Sequence, residues 1–340
     1  MRTAKAYTLG WLLLLALPAF AWYLVVQGPL RSAAFRLVTP EQTYLANLRE
    51  SELACKTLAL RRPEVLVLGD SHSYAAWDFG GLERGLGRRV GACALGGLYA
   101  ESVPELMDYA LRAAPQAKDI VLGLSPRMFW ESPTRKNQID FHRQLFGTMT
   151  PDAAPFVLQA IGRKRLPYDD EAAAVLRHGS RLESLDEVAV AARLELSPQS
   201  IRTLRDWSER LRDVKYVPEL SRTAQEICGI VRAAGLRLWV LHIPESPYLE
   251  ARYSAAVWEQ YRNEVDALRP CAQRIVLDRA VSYALGNRHY VNRQLKDEHD
   301  YAGWSSTVPL SDDLAFDADH LNPVGARLFT PRVLDRMRKP

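Results

Sequence analysis

A three-layer α/β/α domain, built on an open parallel sheet with helices on both faces, is the fold class this sequence predicts. Three observations predict it. Short apolar runs recur at Val65–Leu68, Val90–Leu95, Ile120–Leu124 and Leu236–Leu241, and Arg274–Leu277 supplies a fifth strand candidate. Helical patterns separate them, and turn formers such as Gly69, Gly96 and Ser125-Pro126 follow directly on the runs. Strands buried on both faces read as continuous apolar runs, and their alternation with helices is the mark of a doubly covered parallel sheet.

In chain order, residues 1–8 form a short N-terminus carrying Arg2 and Lys5, which a cytoplasmic side would suit. Leu9 to Val26 then gives eighteen residues without a charge, and 9–29 is expected to be a transmembrane helix and anchor. Trp11, Trp22 and Tyr23 suit a membrane interface. The rival reading is a signal peptide cleaved after Ala19-Phe20-Ala21, which would strand the apolar Trp22 to Val26 on the mature end. Residues 30–62 read as a connector with a helical stretch from Leu48 to Leu60. From 63 to 340 runs the main domain.

Within that domain, Val65–Leu68 is the first buried strand, followed by a helix over Trp77–Leu86 with Arg88-Arg89 at its positive end. Val90–Leu95 leads into Gly96-Gly97, a helix follows near Pro104–Ala114, and the strand Ile120–Leu124 ends at Ser125-Pro126. The segment at about 131–216 is read as a mostly helical insertion. The pattern resumes with a helix over Pro218–Ala234 ended by Gly235, the strand to Leu241, a helix over Ala255–Leu268 and the strand at Arg274–Leu277. Residues 281–312 are expected to be irregular.

The chain has 340 residues and is 48% hydrophobic, enough for a substantial core. Its 44 basic and 40 acidic residues form no dense basic tract, so nucleic-acid binding is not expected. Cys55, Cys93, Cys228 and Cys271 show no Cys-x-x-Cys spacing, and no metal or cofactor is expected. A Cys228–Cys271 disulfide is permitted if this part of the chain is extracytoplasmic, but four cysteines allow three pairings and free buried thiols fit equally well.

Two polar clusters carry the chemistry. Gly69-Asp70-Ser71-His72 ends the first strand, and Asp317-Ala318-Asp319-His320 stands 249 positions further on, counted from Ser71 to His320. A serine hydroxyl becomes a nucleophile when a base takes its proton, and the base in turn needs an orienting acceptor. In open parallel sheets, ligands sit beyond the carboxyl ends of the strands, where Ser71, Gly97 and Ser125 all fall. Asp70 reads as a cap of the following turn and His72 as a loop hydrogen-bonding residue.

These two clusters, with the continuation His320-Leu-Asn-Pro-Val-Gly-Ala326, resemble the SGNH (GDSL-like) hydrolase superfamily. Within it, the chain is most similar to a membrane-anchored acyltransferase branch that includes alginate O-acetylation and teichoic-acid D-alanylation proteins. The resemblance covers about 64–130 and 236–335 and implies a flavodoxin-like parallel sheet. It implies Ser71 as nucleophile, His320 as base and Asp317 as its orienter, with Asp319 the rival acid. It also implies an oxyanion hole from the Ser71 backbone and Gly97, with Gly96 as the alternative glycine. The usual Gly-x-Asn block is replaced by Gly123-Leu-Ser-Pro-Arg-Met-Phe-Trp130, where Ser125 is the candidate donor.

Arg127, Trp130, His242 and Trp304 are candidate substrate-binding residues, each with a plain packing or solvation role as the alternative. The implied function is an extracytoplasmic O-acyltransferase, single-pass in a bacterial inner or cytoplasmic membrane. It would move an acyl group, acetyl by expectation, through an acyl-serine to a cell-envelope polysaccharide or polyol. The implied partners are a membrane-bound O-acyltransferase as acyl donor and the lipid bilayer. The alternatives are a carbohydrate esterase and a noncatalytic assembly or binding partner of that acyltransferase.

Overall fold

The computed structural model describes Phe20, Cys55, 58–59, 61–132, 135–148, 217, 220–277, 279, 285–293, 308–311, 314–316 and 320–338. Five strands form one parallel sheet: β1 (Val65–Asp70), β2 (Val90–Leu95), β3 (Asp119–Leu124), β4 (Arg237–His242) and β5 (Ala272–Val276), in the order β2-β1-β3-β4-β5. All residues of β1, β2 and β3 are buried, as their unbroken apolar character requires. The 2-1-3-4-5 order places β1 between β2 and β3, so its carboxyl end opens at the point where the connections diverge to opposite sides.

The helices confirm the layered reading and refine its boundaries. After β1, the chain turns directly into α1 (Ser71–Ala75), capped by Asp70, and then α2 (Phe79–Leu86), capped by Asp78 and closed by Gly87 in a left-handed conformation. Trp77 therefore precedes α2 instead of opening it, and its buried ring packs 5.2 Å from Phe329. On the other side of β2 come α3 (Val103–Ala113) and α4 (Arg135–Thr148), then α5 (Leu220–Ala233), α6 (Pro247–Glu250) and α7 (Ala255–Asp266). The last helix, α8 (Pro323–Arg338), packs on α2, whereas α5 packs on α3 and α7. Two helical layers thus enclose the sheet.

The stretch expected to be irregular contributes to a second, three-stranded antiparallel sheet, β6 (Val291–Arg293), β7 (Val308–Ser311) and β8 (Leu314–Phe316), in the order β6-β8-β7. Strands of three or four residues are too short to show a period of two in the sequence. Of the expected insertion, α4 is seen, and 149–216 lies outside the described residues.

All four cysteines are paired, Cys55 with Cys93 and Cys228 with Cys271. The first ties the segment before β1 to β2; the second ties α5 to the entry of β5. Cross-links closing loops of this length, 38 and 43 residues, stabilise a fold by about 2–4 kcal/mol each. They persist in oxidising surroundings and are lost in reducing ones.

The expectation of a transmembrane helix is corrected here. Among the described residues no helix is long and apolar enough to cross a membrane. The longest, α8, has 16 residues and carries Arg327, Arg332, Asp335, Arg336 and Arg338, whereas a span needs about 20 apolar ones. The segment 9–29 itself lies outside the described residues, Phe20 excepted. The described residues give no support to membrane anchorage, the bilayer as partner, a membrane-bound acyl donor or a single-pass placement.

Candidate active site at the carboxyl end of strand β1

The two polar clusters meet. His320 Nε2 lies 2.8 Å from Ser71 Oγ, across 249 positions of chain. Ser71 opens α1 at the end of β1, half-buried. His320 is held from the other side by its own continuation: Leu321 and Asn322 are buried, the Asn322 N–H donates to His289 O at 2.7 Å, and Asn322 Oδ1 accepts from Gly325 N–H at 2.9 Å. Asn322 thereby caps α8, with Pro323 as its first residue. A serine hydroxyl that donates to Nε2 is placed to pass it the proton, with the other imidazole nitrogen carrying hydrogen in that tautomer. Asp317, its rival Asp319 and Trp304 lie outside the described residues.

Beneath this pair sits a buried polar network anchored on Asp70. Its Oδ1 accepts from the N–H groups of His72, at 3.1 Å, and Ser73, at 3.4 Å. Its Oδ2 accepts from His72 Nδ1 at 2.9 Å and from Ser125 Oγ at 2.6 Å. Burial pushes this carboxyl up, but the charge and hydrogen bond of His72, the Ser125 hydroxyl and the more distant His320 outweigh it and hold the group below the usual carboxylate range. Being ionised, Asp70 accepts only, so both His72 Nδ1 and Ser125 are donors. Ser125 spends its one proton on Asp70 and has none left for an oxyanion.

The network continues across the strand ends. His72 Nε2 lies 3.8 Å from Glu245 Oε1, which is 3.3 Å from Arg127 Nε, and Tyr253 donates to Glu245 Oε2 at 2.5 Å. Arg127 lies over the Trp130 ring, 5.5 Å from its centroid, and Trp130 meets Tyr253 edge to face. Arg127 and Trp130 are thus drawn into a packed cluster near Ser71 and are not an open platform. His242 is turned away from the rim: its nitrogens face Tyr261 Oη at 3.3 Å and Glu250 Oε1 at 3.2 Å, fully enclosed. It clamps the segment that bears Glu245, whose N–H donates to Glu250 Oε1 at 3.3 Å. Nothing in the sequence announced Glu245 or Tyr253, because only the β3–β4 pairing brings their loop beside Ser125.

Gly97 occupies the turn after β2, exposed and at φ +66°, the left-handed region that glycine enters without strain. Asp70 and Leu95 are register partners, so this turn leaves the sheet level with Ser71. Helix α4 packs over it: Gln138 lies beside Gly97, and buried His142 makes a backbone hydrogen bond at Gly96. Burial pushes the His142 imidazole down to about 4, the Gly96 bond opposing it. A histidine kept neutral by the fold stabilises above its unfolded value of about 6.5, and that stability is lost as pH falls towards 4. Lowering pH from 7 to 5 should therefore cost the wild type about 2 kcal/mol through this group. His142→Leu should lose that component, as paired denaturant midpoints at the two pH values would show.

Among the described residues no group of three or more His, Cys, Asp or Glu side chains is placed to hold a metal ion. No family model matches the chain. Comparison with curated proteins gives no match either. The expected membership of the SGNH superfamily and of its membrane-anchored branch is corrected accordingly: the findings support an α/β domain on a parallel sheet.

Proposed function

We propose that this protein is a serine-dependent acyl-transfer enzyme, in which Ser71 takes the acyl group of an ester and hands it to a hydroxyl acceptor, a carbohydrate or polyol. The observation that carries this reading is the 2.8 Å contact between His320 Nε2 and Ser71 Oγ at the carboxyl end of a central parallel strand. His320 takes the hydroxyl proton as Oγ attacks the ester carbonyl, and returns a proton to the departing alcohol as the carbonyl re-forms. The acceptor hydroxyl then attacks the acyl-serine, losing its proton to His320, which passes it to Ser71 Oγ as the acyl–Oγ bond breaks, so that the free Ser71 hydroxyl is regenerated. Asp317 is proposed as the acid that orients His320. The Ser71 and Gly97 backbone N–H groups are proposed for the oxyanion, whereas the Ser125 hydroxyl is committed to Asp70.

An activated acetate ester tests the reading. Incubation should leave one acetyl group per chain, which peptide mapping locates on Ser71, and Ser71→Ala should stay unlabelled. Adding a glycan acceptor should then move the acetyl group to sugar hydroxyls faster than free acetate appears. A folded wild-type protein that remains unlabelled at Ser71 would refute the catalytic reading. Release of acetate alone, unaffected by acceptor, would reduce the activity to hydrolysis.

A further inference from the structure

The Ser71–His320 pair does not stand alone: the ring of His72 is stacked on that of His320, with centroids 4.6 Å apart and planes within 18° of parallel. His72 is only 4% exposed. Asp70 fixes its ring by the hydrogen bond at Nδ1, while Glu245 Oε1 lies 3.8 Å from Nε2, beyond hydrogen-bond reach. The charged groups around it come from four elements. Asp70 ends β1, Glu245 follows β4 with Arg127 of the turn after β3 behind it, and His320 precedes α8. The sequence offers no role for His72 beyond a loop hydrogen bond, because adjacency to Ser71 removes it as the base.

We propose that His72 is a positioning residue of the Ser71–His320 pair: fixed on Asp70, its ring holds the His320 imidazole in plane and partly neutralises the Asp70 charge that His320 feels. This rests on the reading of Ser71 as the acylated serine. The physical argument has two parts. A flat ring locked by a carboxylate restrains the tilt of a second ring stacked on it, and a base must be aligned to within a few tenths of an ångström to take a proton efficiently. A carboxylate close to an imidazole favours its protonated form, and an N–H donated to that carboxylate weakens the effect. His72 therefore keeps His320 available as a base at lower pH than Asp70 alone would allow.

The test is the pH dependence of Ser71 acetylation by the activated ester, in wild type, His72→Phe and His72→Leu. Both variants remove the N–H that Asp70 accepts; only Phe retains a flat ring. The acid limb of the profile should move to higher pH in both, by about half a pH unit or more, equivalent to about a threefold loss of rate on the limb. The plateau should fall further in Leu than in Phe. A purely structural role for His72 changes the denaturant midpoint and leaves the limb where it is. A wild-type limb in folded His72→Phe, or in His72→Leu if Phe does not fold, overturns the inference. The two failures are distinguishable: labelling that persists in Ser71→Ala removes the acyl-serine reading, whereas labelling lost there with an unmoved limb in the His72 variants removes this inference alone.

Discussion

His320→Ala is expected to lower the rate of Ser71 acetylation about 10³-fold while leaving the domain folded. The size follows from what the imidazole does. A serine hydroxyl near neutral pH is almost wholly protonated, and a positioned base in hydrogen-bond contact removes the proton as the carbonyl is attacked. His320 is half-buried in the loop before α8, and its position depends on Asn322 and Leu321 more than on its own side chain. Its truncation should therefore disturb chemistry far more than stability. Two readouts make the case specific. The acid limb of the acetylation profile should vanish, because the group whose protonation stops the reaction is gone. Added imidazole should restore part of the rate by entering the space left beside Ser71 Oγ. A loss of less than about tenfold would show that another base serves Ser71.

The second large effect is structural and lies one residue before the Asp70 cap. Gly69→Ala is expected to destabilise the domain by about 3 kcal/mol or more. Gly69 has φ +149°, and an added Cβ would fall 2.1 Å from Ser73 Oγ and 2.4 Å from the Gly123 carbonyl oxygen. The hydroxyl could rotate; the carbonyl belongs to β3 and cannot yield without moving a central strand. Gly87 provides the comparison, since it too has positive φ, +64°, but nothing within 4 Å of an added Cβ. Gly87→Ala should cost about 1 kcal/mol, the conformational part alone. Denaturant midpoints of the two variants separate backbone preference from crowding, and equal shifts would remove the close approach as a cause.

The main sheet was legible because its strands are buried on both faces. Val65–Leu68 and Ile120–Leu124 read as unbroken apolar runs, and each gains a carboxylate at an end in the structure, Asp70 after Gly69 in one case and Asp119 in the other. Those additions depend on pairing with neighbours, which no local pattern records. Asp119, for example, is buried only because Arg237 and Arg88 bind it and, against the effect of burial, hold its carboxyl below the usual range. The short strands β6, β7 and β8 escaped for the opposite reason, being too brief to carry a pattern. At the site, Ser71 and His320 were found through residue types with a shared chemistry. Glu245, Tyr253, His142 and the stacking of His72 were not, since each acts through a neighbour distant in sequence. The membrane span expected from the N-terminal apolar stretch falls on residues outside those described, Phe20 excepted, and no described helix is long and apolar enough to cross a membrane.

One carboxylate has a wider consequence than its hydrogen bonds suggest. Asp70 gathers the start of α1, the His72 ring and the Ser125 loop, while Glu245 ties Arg127 to Tyr253 across the adjoining strand ends. The loops leaving β1, β3 and β4 are thereby joined below the reacting atoms into a preorganised frame of fixed dipoles. Charge that develops on Ser71 and His320 during acyl transfer would meet groups already oriented to receive it, so little of the barrier would be spent on rearranging the protein. On the proposed function, substrate selection would fall to whatever lies above that frame, and the floor of the site would keep one geometry for many acceptors.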